Sequence, residues 1–139
     1  MKPSEILPQY RLIIDCFDVL KAVNIGQWEQ FSPPQRRGIG ILGRWVIEKS
    51  FWSVIVARGQ VPPLNVTLMQ LYALSGMQLG TDGDLWLSQV DDQVTTDKEA
   101  DDEEIYRTAF LFAKTVCETA HTVITILDLQ KSKQGTSPK

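Results

Sequence analysis

Residues 105–127 read IYRTAFLFAKTVCETAHTVITIL, and the spacing of their apolar side chains decides the fold. Tyr106, Phe110, Ala113, Cys117, Ala120, Ile124 and Leu127 recur at steps of four and three without exception. A second row, Ile105, Ala109, Phe112, Val116, Thr119, Val123 and Ile126, repeats those steps one residue earlier. Side chains three and four apart share a face of an α-helix, so two adjacent rows predict a helix with a broad buried face. Asp101, Asp102, Glu103 and Glu104 at its start and Lys131 and Lys133 at its end match the helix dipole. As one helix, residues 103–131 would be about 43 Å long, whereas a compact domain of this length is about 37 Å across. Such a helix crosses the whole domain. Its apolar rows are expected to serve the chain's own core, or that core and a partner seam together. Ala, Cys and Thr in mid-helix suit close approach of another helix more than a two-stranded coiled coil.

Towards the N-terminus the same period returns. Tyr10, Ile13, Phe17 and Leu20, beside Leu12, Cys16, Val19 and Val23, predict a first helix stopped by Asn24 and Gly26. Ser32 followed by Pro33 and Pro34 predicts the start of a second helix running to Gly59. Gly38, Gly40 and Gly43 each cost about 1 kcal/mol against alanine there, so a break near Gly38 is an alternative. A short strand over Ser53–Val56 is another. Val61-Pro62-Pro63 reads as an extended connector, Asn65–Leu74 as a short helix stopped at Ser75-Gly76, and Gly80-Thr81-Asp82-Gly83 as a turn. Asp84–Val94 is a helix or a short strand, and Thr95–Asp102 a polar, acidic loop. The expected architecture is a single all-α domain of four to five helices over residues 1–131, ending in the long helix, with residues 132–139 as a disordered tail.

Composition narrows the function classes. Of 139 residues 43 % are hydrophobic, too many for a disordered chain, and two cysteines are too few for a disulfide scaffold. No run approaches the roughly 18 apolar residues of a membrane span, and MKPSEILPQY lacks the features of a signal peptide. A cytoplasmic protein without membrane contact is the expectation. The net charge of −3 hides an asymmetry. Residues 1–60 carry eight Lys/Arg against five Asp/Glu, and residues 61–139 carry six against twelve. Arg36, Arg37, Arg44, Lys49 and Arg58 form the basic part, and carboxylates including Asp101, Asp102 and Glu103 crowd residues 82–104.

Chemistry-bearing motifs are sparse. Gly38-Ile39-Gly40-Ile41-Leu42-Gly43 matches GxGxxG as a string. It lacks the preceding strand and the following ribose-binding carboxylate that dinucleotide binding requires, so packing glycines are expected instead. Arg36 and Arg37 near a helix start suit an anion, and Trp45 and Trp52 are read as core anchors rather than base-stacking platforms. Cys117 and the sole histidine, His121, share a helix face, but two ligands do not make a metal site. No nucleophile elbow or cysteine-protease signature accompanies them. No catalytic residue, cofactor or metal is therefore expected.

What remains is a non-enzymatic protein–protein interaction module, a small regulatory or adaptor protein that self-associates as a homodimer through apolar helix faces. Tyr106, Phe110, Ala113 and Cys117 would line its seam. Arg36, Arg37 and Arg44 would supply a basic surface, and Asp101, Asp102 and Glu103 an acidic one, to set orientation and association rate. The alternative is a nucleic-acid-binding accessory protein that uses the basic segment 36–58. A third reading has the acidic loop mimic nucleic acid towards a basic partner.

Overall fold

The computed structural model describes residues 7–95 and 104–135, with side chains over 7–88 and 105–131. Five α-helices follow in order: α1 Pro8–Ala22, α2 Pro33–Ala57, α3 Leu68–Ser75, α4 Gly80–Thr95 and α5 Glu104–Gly135. A 3₁₀ helix, Ile25–Gln30, joins α1 to α2. The fold is all-α, and among the described residues there is no strand. Residues 53–56 lie inside α2, which runs unbroken through Gly38.

Local signals account for the helix starts. Ser32 caps α2 through a reciprocal box with Gln35: the Gln35 amide donates to the Ser32 hydroxyl, and Gln35 Oε1 accepts from the Ser32 amide at 2.8 Å. Thr67 and Gln70 do the same for α3, so that helix begins three residues later than the predicted Asn65. Gly80–Gly83 is the first turn of α4 rather than a separate turn. Gly83 is needed there because a Cβ would lie 2.5 Å from that of Leu79. The final helix runs to Gly135, four residues into the stretch expected to be a disordered tail.

α2 lies at the centre, touched by α1, α3, α4 and α5. Its C-terminal half is apolar on nearly every side: Val46, Ile47, Phe51, Val54 and Ile55 are fully buried, as expected of a helix with no polar face. The buried hydroxyls of Ser50 and Ser53 are satisfied by the carbonyls of Val46 and Lys49 one turn back, each at 2.7 Å.

α5 packs parallel to α2 along its length. Gly40 meets Tyr106, Gly43 meets the backbone of Ala109 and Phe110, and Ala57 meets Lys131. The register rises together on both helices. A Cβ on Gly43 would sit 2.8 Å from the Phe110 Cα and amide nitrogen, so the two backbones approach as only a glycine permits. Ala109, Ala113, Cys117 and Ala120, all fully buried, continue the small-residue seam. α1 runs antiparallel to α5: the Tyr10 hydroxyl donates to Asp128 at 3.1 Å, and the Phe17 and His121 rings meet edge to face at 5.8 Å. Because α2 and α5 are parallel, α3, α4 and the intervening chain must carry the backbone from the end of one to the start of the other.

Candidate functional site

The four residues predicted to line a partner seam are inside the chain's own core. Tyr106 and Phe110 are 5 % exposed, and Ala113 and Cys117 are fully buried. Tyr106 and Phe110 join Trp28 and Ile39 in a cluster covered by the 3₁₀ helix. Ala113 and Cys117 belong to the main core. Gly40 and Gly43 of α2 accommodate Tyr106 and Phe110, and a partner could reach any of the four only by opening the domain. This corrects the seam assignment: a helical period marks a face for burial without naming what buries it.

The basic segment is similarly occupied by the fold. Arg36 donates to the carbonyls of Trp28 and Glu29 at 3.1 and 3.2 Å, pairs with Glu29 at 3.7 Å and lies 5.5 Å above the Trp28 ring. It fastens the 3₁₀ helix to the first turn of α2. Arg44 pairs with Glu48 one turn on at 3.9 Å, and Arg37, exposed, also has a partner within the chain. The Lys49 ammonium sits 4.2 Å from the Trp52 ring. Arg58 donates to the Ser75 carbonyl at 2.7 Å and so caps α3. Trp45 and Trp52 are half-buried and pack against the core, as anchors do. Asp101, Asp102 and Glu103 lie outside the described residues.

GxGxxG is a packing motif. Gly40 and Gly43 give Tyr106 and Phe110 room, while a Cβ on Gly38 would meet nothing within 4 Å. Cys117 and His121 do not converge: the thiol is buried and the imidazole is exposed against Phe17. Among the described residues no group of three or more metal-capable side chains occurs.

Sequence reasoning missed the outer side of α5. Leu111, Ile126 and Leu129 are 38, 50 and 60 % exposed there. Thr115 and Thr122 lie exposed between them. The hydroxyls of Thr119, Thr122 and Thr125 donate to carbonyls four residues back at 2.9, 3.1 and 2.9 Å. Their hydrogens are thus turned into the helix, which leaves a surface of methyl groups. No Asp, Glu, Lys or Arg interrupts residues 119–127. The signal was legible in the run TAHTVITIL, whose outward positions are histidine, threonine and isoleucine where a solvated face would carry more charges.

The same property makes residues 105–131 long and apolar enough to cross a membrane, the most apolar 18-residue window within them having a mean hydropathy of 1.3. The apolar-run criterion overlooks this because Lys114, Glu118, His121 and the threonines interrupt the run, while the residues between them keep its mean hydropathy positive. One third of the most apolar window is buried within the protein.

Beside this stripe a groove of about 440 Å³ separates the C-terminal half of α1 from the middle of α5. Phe17, Leu20, Phe110 and Leu111 form its walls, and Lys21 and Lys114 stand at its rim. Leu111 belongs to both features. Compared with known proteins, the chain matches no family model, no curated protein and no solved structure.

Proposed function

We propose that this chain is a non-catalytic interaction module that self-associates through the outer face of α5. One observation carries the reading: a stripe from Leu111 through Thr115 and Thr122 to Ile126 and Leu129, exposed, interrupted by the single charge of Glu118, with the Thr122 hydroxyl bonded internally. Monomers seldom leave large apolar side chains grouped on one helix face in water, and such a face, with Leu111 at one end and Ile126 and Leu129 at the other, is suited to packing against a second copy of itself. The seam thus belongs on the opposite side of α5 from Tyr106, Phe110, Ala113 and Cys117. The Lys21 and Lys114 rim beside the stripe would set orientation rather than affinity.

The nucleic-acid alternative has less support. Counterion release needs cations presented to phosphate, whereas Arg36, Arg44, Lys49 and Arg58 are engaged by carbonyls, carboxylates and an indole of the same chain.

Light scattering on eluting protein, at low and high salt, tests the proposal. A dimer at both salts is expected, and Ile126→Asp with Leu129→Asp should return the monomer. A monomeric parent chain would overturn it. So would co-eluting nucleic acid that high salt removes, which would restore the basic segment as the functional surface.

A further inference from the structure

The chain has two cysteines, about a hundred residues apart, and the fold brings them together. Cys16 sits on α1 and Cys117 on α5, both fully buried in the main core. The two thiols lie beside each other, with the Ser50 hydroxyl of α2 next to them. Cys16 Sγ also lies 3.8 Å from the Val46 carbonyl. Three helices therefore meet at two thiols and one hydroxyl. A single buried cysteine is an ordinary small apolar side chain; two in mutual contact are positioned for a reaction that neither can perform alone.

We propose that Cys16 and Cys117 are an intramolecular disulfide site, closed by exchange with a low-molecular-weight disulfide such as oxidised glutathione, which ties the first helix to the last. In the first step one of the two cysteines, as its thiolate, attacks one sulfur of that disulfide, forming a mixed disulfide and releasing one glutathione thiolate. In the second, the other cysteine gives up its proton and attacks the first cysteine's sulfur, releasing the second glutathione thiolate. Two protein thiols lose two electrons and two protons, and one small disulfide is reduced to two thiols.

The two thiols share one environment beside the Ser50 hydroxyl, and burial opposes ionisation of both. Neither sulfur is exposed, so exchange waits on α1 lifting from the core. That helix has the means: Leu7 offers no side-chain cap, and only Ile13 and Cys16 of its residues are fully buried. Once α1 closes over the bond, reductants are excluded in the same way.

The test uses the full chain, unfolded and refolded in a mixture of reduced and oxidised glutathione. The expected product is a species lighter by two hydrogens, without adduct, in which proteolysis finds the peptides of Cys16 and Cys117 joined. Its melting temperature should exceed that of the reduced chain by roughly 10 °C, because the bond closes a loop of about a hundred residues. Cys16→Ser should instead keep a glutathione adduct on Cys117 when refolded in the same mixture. Two free thiols in the refolded wild type, an adduct on each cysteine, or disulfide-linked dimers would each overturn the proposal. The wild-type comparison decides the matter even if Cys16→Ser does not fold.

Discussion

The inner and outer faces of α5 both carry apolar residues, yet one is sealed within the chain and the other is open. On the inner face Ala109, Ala113, Cys117, Ala120 and Ile124 are fully buried against neighbouring helices. On the outer face Leu111, Ile126 and Leu129 stay between 38 and 60 % exposed. Hydrophobicity does not separate them. Leu111, Ile126 and Leu129 are as apolar as the buried residues, although Glu118 stands among them. Shape separates the faces, because the inner side meets glycines at 40 and 43, where two backbones can touch, and dispersion contacts accumulate only at that distance. The outer side has no such complement among the described residues.

The largest expected effect tests the seal. In Gly43→Leu the new Cβ would fall 2.8 Å from the Phe110 backbone and 2.9 Å from the Ala109 carbonyl carbon. Backbone cannot rotate aside as a side chain can, so a loss of at least about 3 kcal/mol is expected from the denaturation midpoint. Gly38→Ala sharpens the contrast, because nothing lies within 4 Å of its Cβ. That variant should gain about 0.5–1 kcal/mol from the better helix former. If the two substitutions cost the same, close approach of α2 and α5 is not what holds the inner face.

The outer face should respond in the opposite sense. Ile126→Asp with Leu129→Asp should shift the unfolding free energy of the monomer by about 1 kcal/mol or less. The apparent dimer dissociation constant should rise at least tenfold, measured by sedimentation across a dilution series. A collapse of the fold instead would place these residues in the core and remove the distinction between the faces.

These two sides differ in how far they could be read from the residues alone. The steps of three and four from Tyr106 to Leu127 announce α5 and its buried rows, and Ser32 with two prolines announces α2. The start of α3 was also readable, since Thr67 and Gln70 have capping-box spacing. Gly80–Gly83 misleads because glycine signals a turn by its freedom, whereas Gly83 is used here for its missing Cβ. What no local pattern contains is the pairing of α2 with α5 in parallel. Without it Tyr106, Phe110, Ala113 and Cys117 look available to a partner. Arg36 likewise looks like a surface cation until the 3₁₀ helix brings Trp28 and Glu29 beneath it.

A smaller effect is expected at the far end of the same pairing. Lys131 donates to the Ala57 carbonyl at 3.0 Å, so a cation from the last turns of α5 caps the C-terminus of α2. Lys131→Met keeps the aliphatic stem and removes the donor, and should cost about 0.5–1 kcal/mol. A loss as large as that of Gly43→Leu would mean that the seam is anchored at its end rather than by its glycines.

The smallest effect lies where the two faces of α5 meet α1. The Tyr10 phenol is held above its ordinary value of 10, by burial and by donating its proton to Asp128. The unfolded chain therefore releases that proton first as the pH rises. The stabilisation is complete below pH about 10 and is lost as the pH climbs through the raised folded value. Tyr72, also raised by burial, adds a slope of the same sign, so the total decline belongs to both tyrosines. Tyr10→Phe removes one of them. Its denaturation midpoint, followed from pH ~9 to ~11, should fall less steeply than that of the parent chain, with Tyr72 supplying what remains. Equal slopes would mean that α1 does not hold Tyr10 against Asp128 in solution, and that the edge between the sealed and open faces of α5 lies elsewhere.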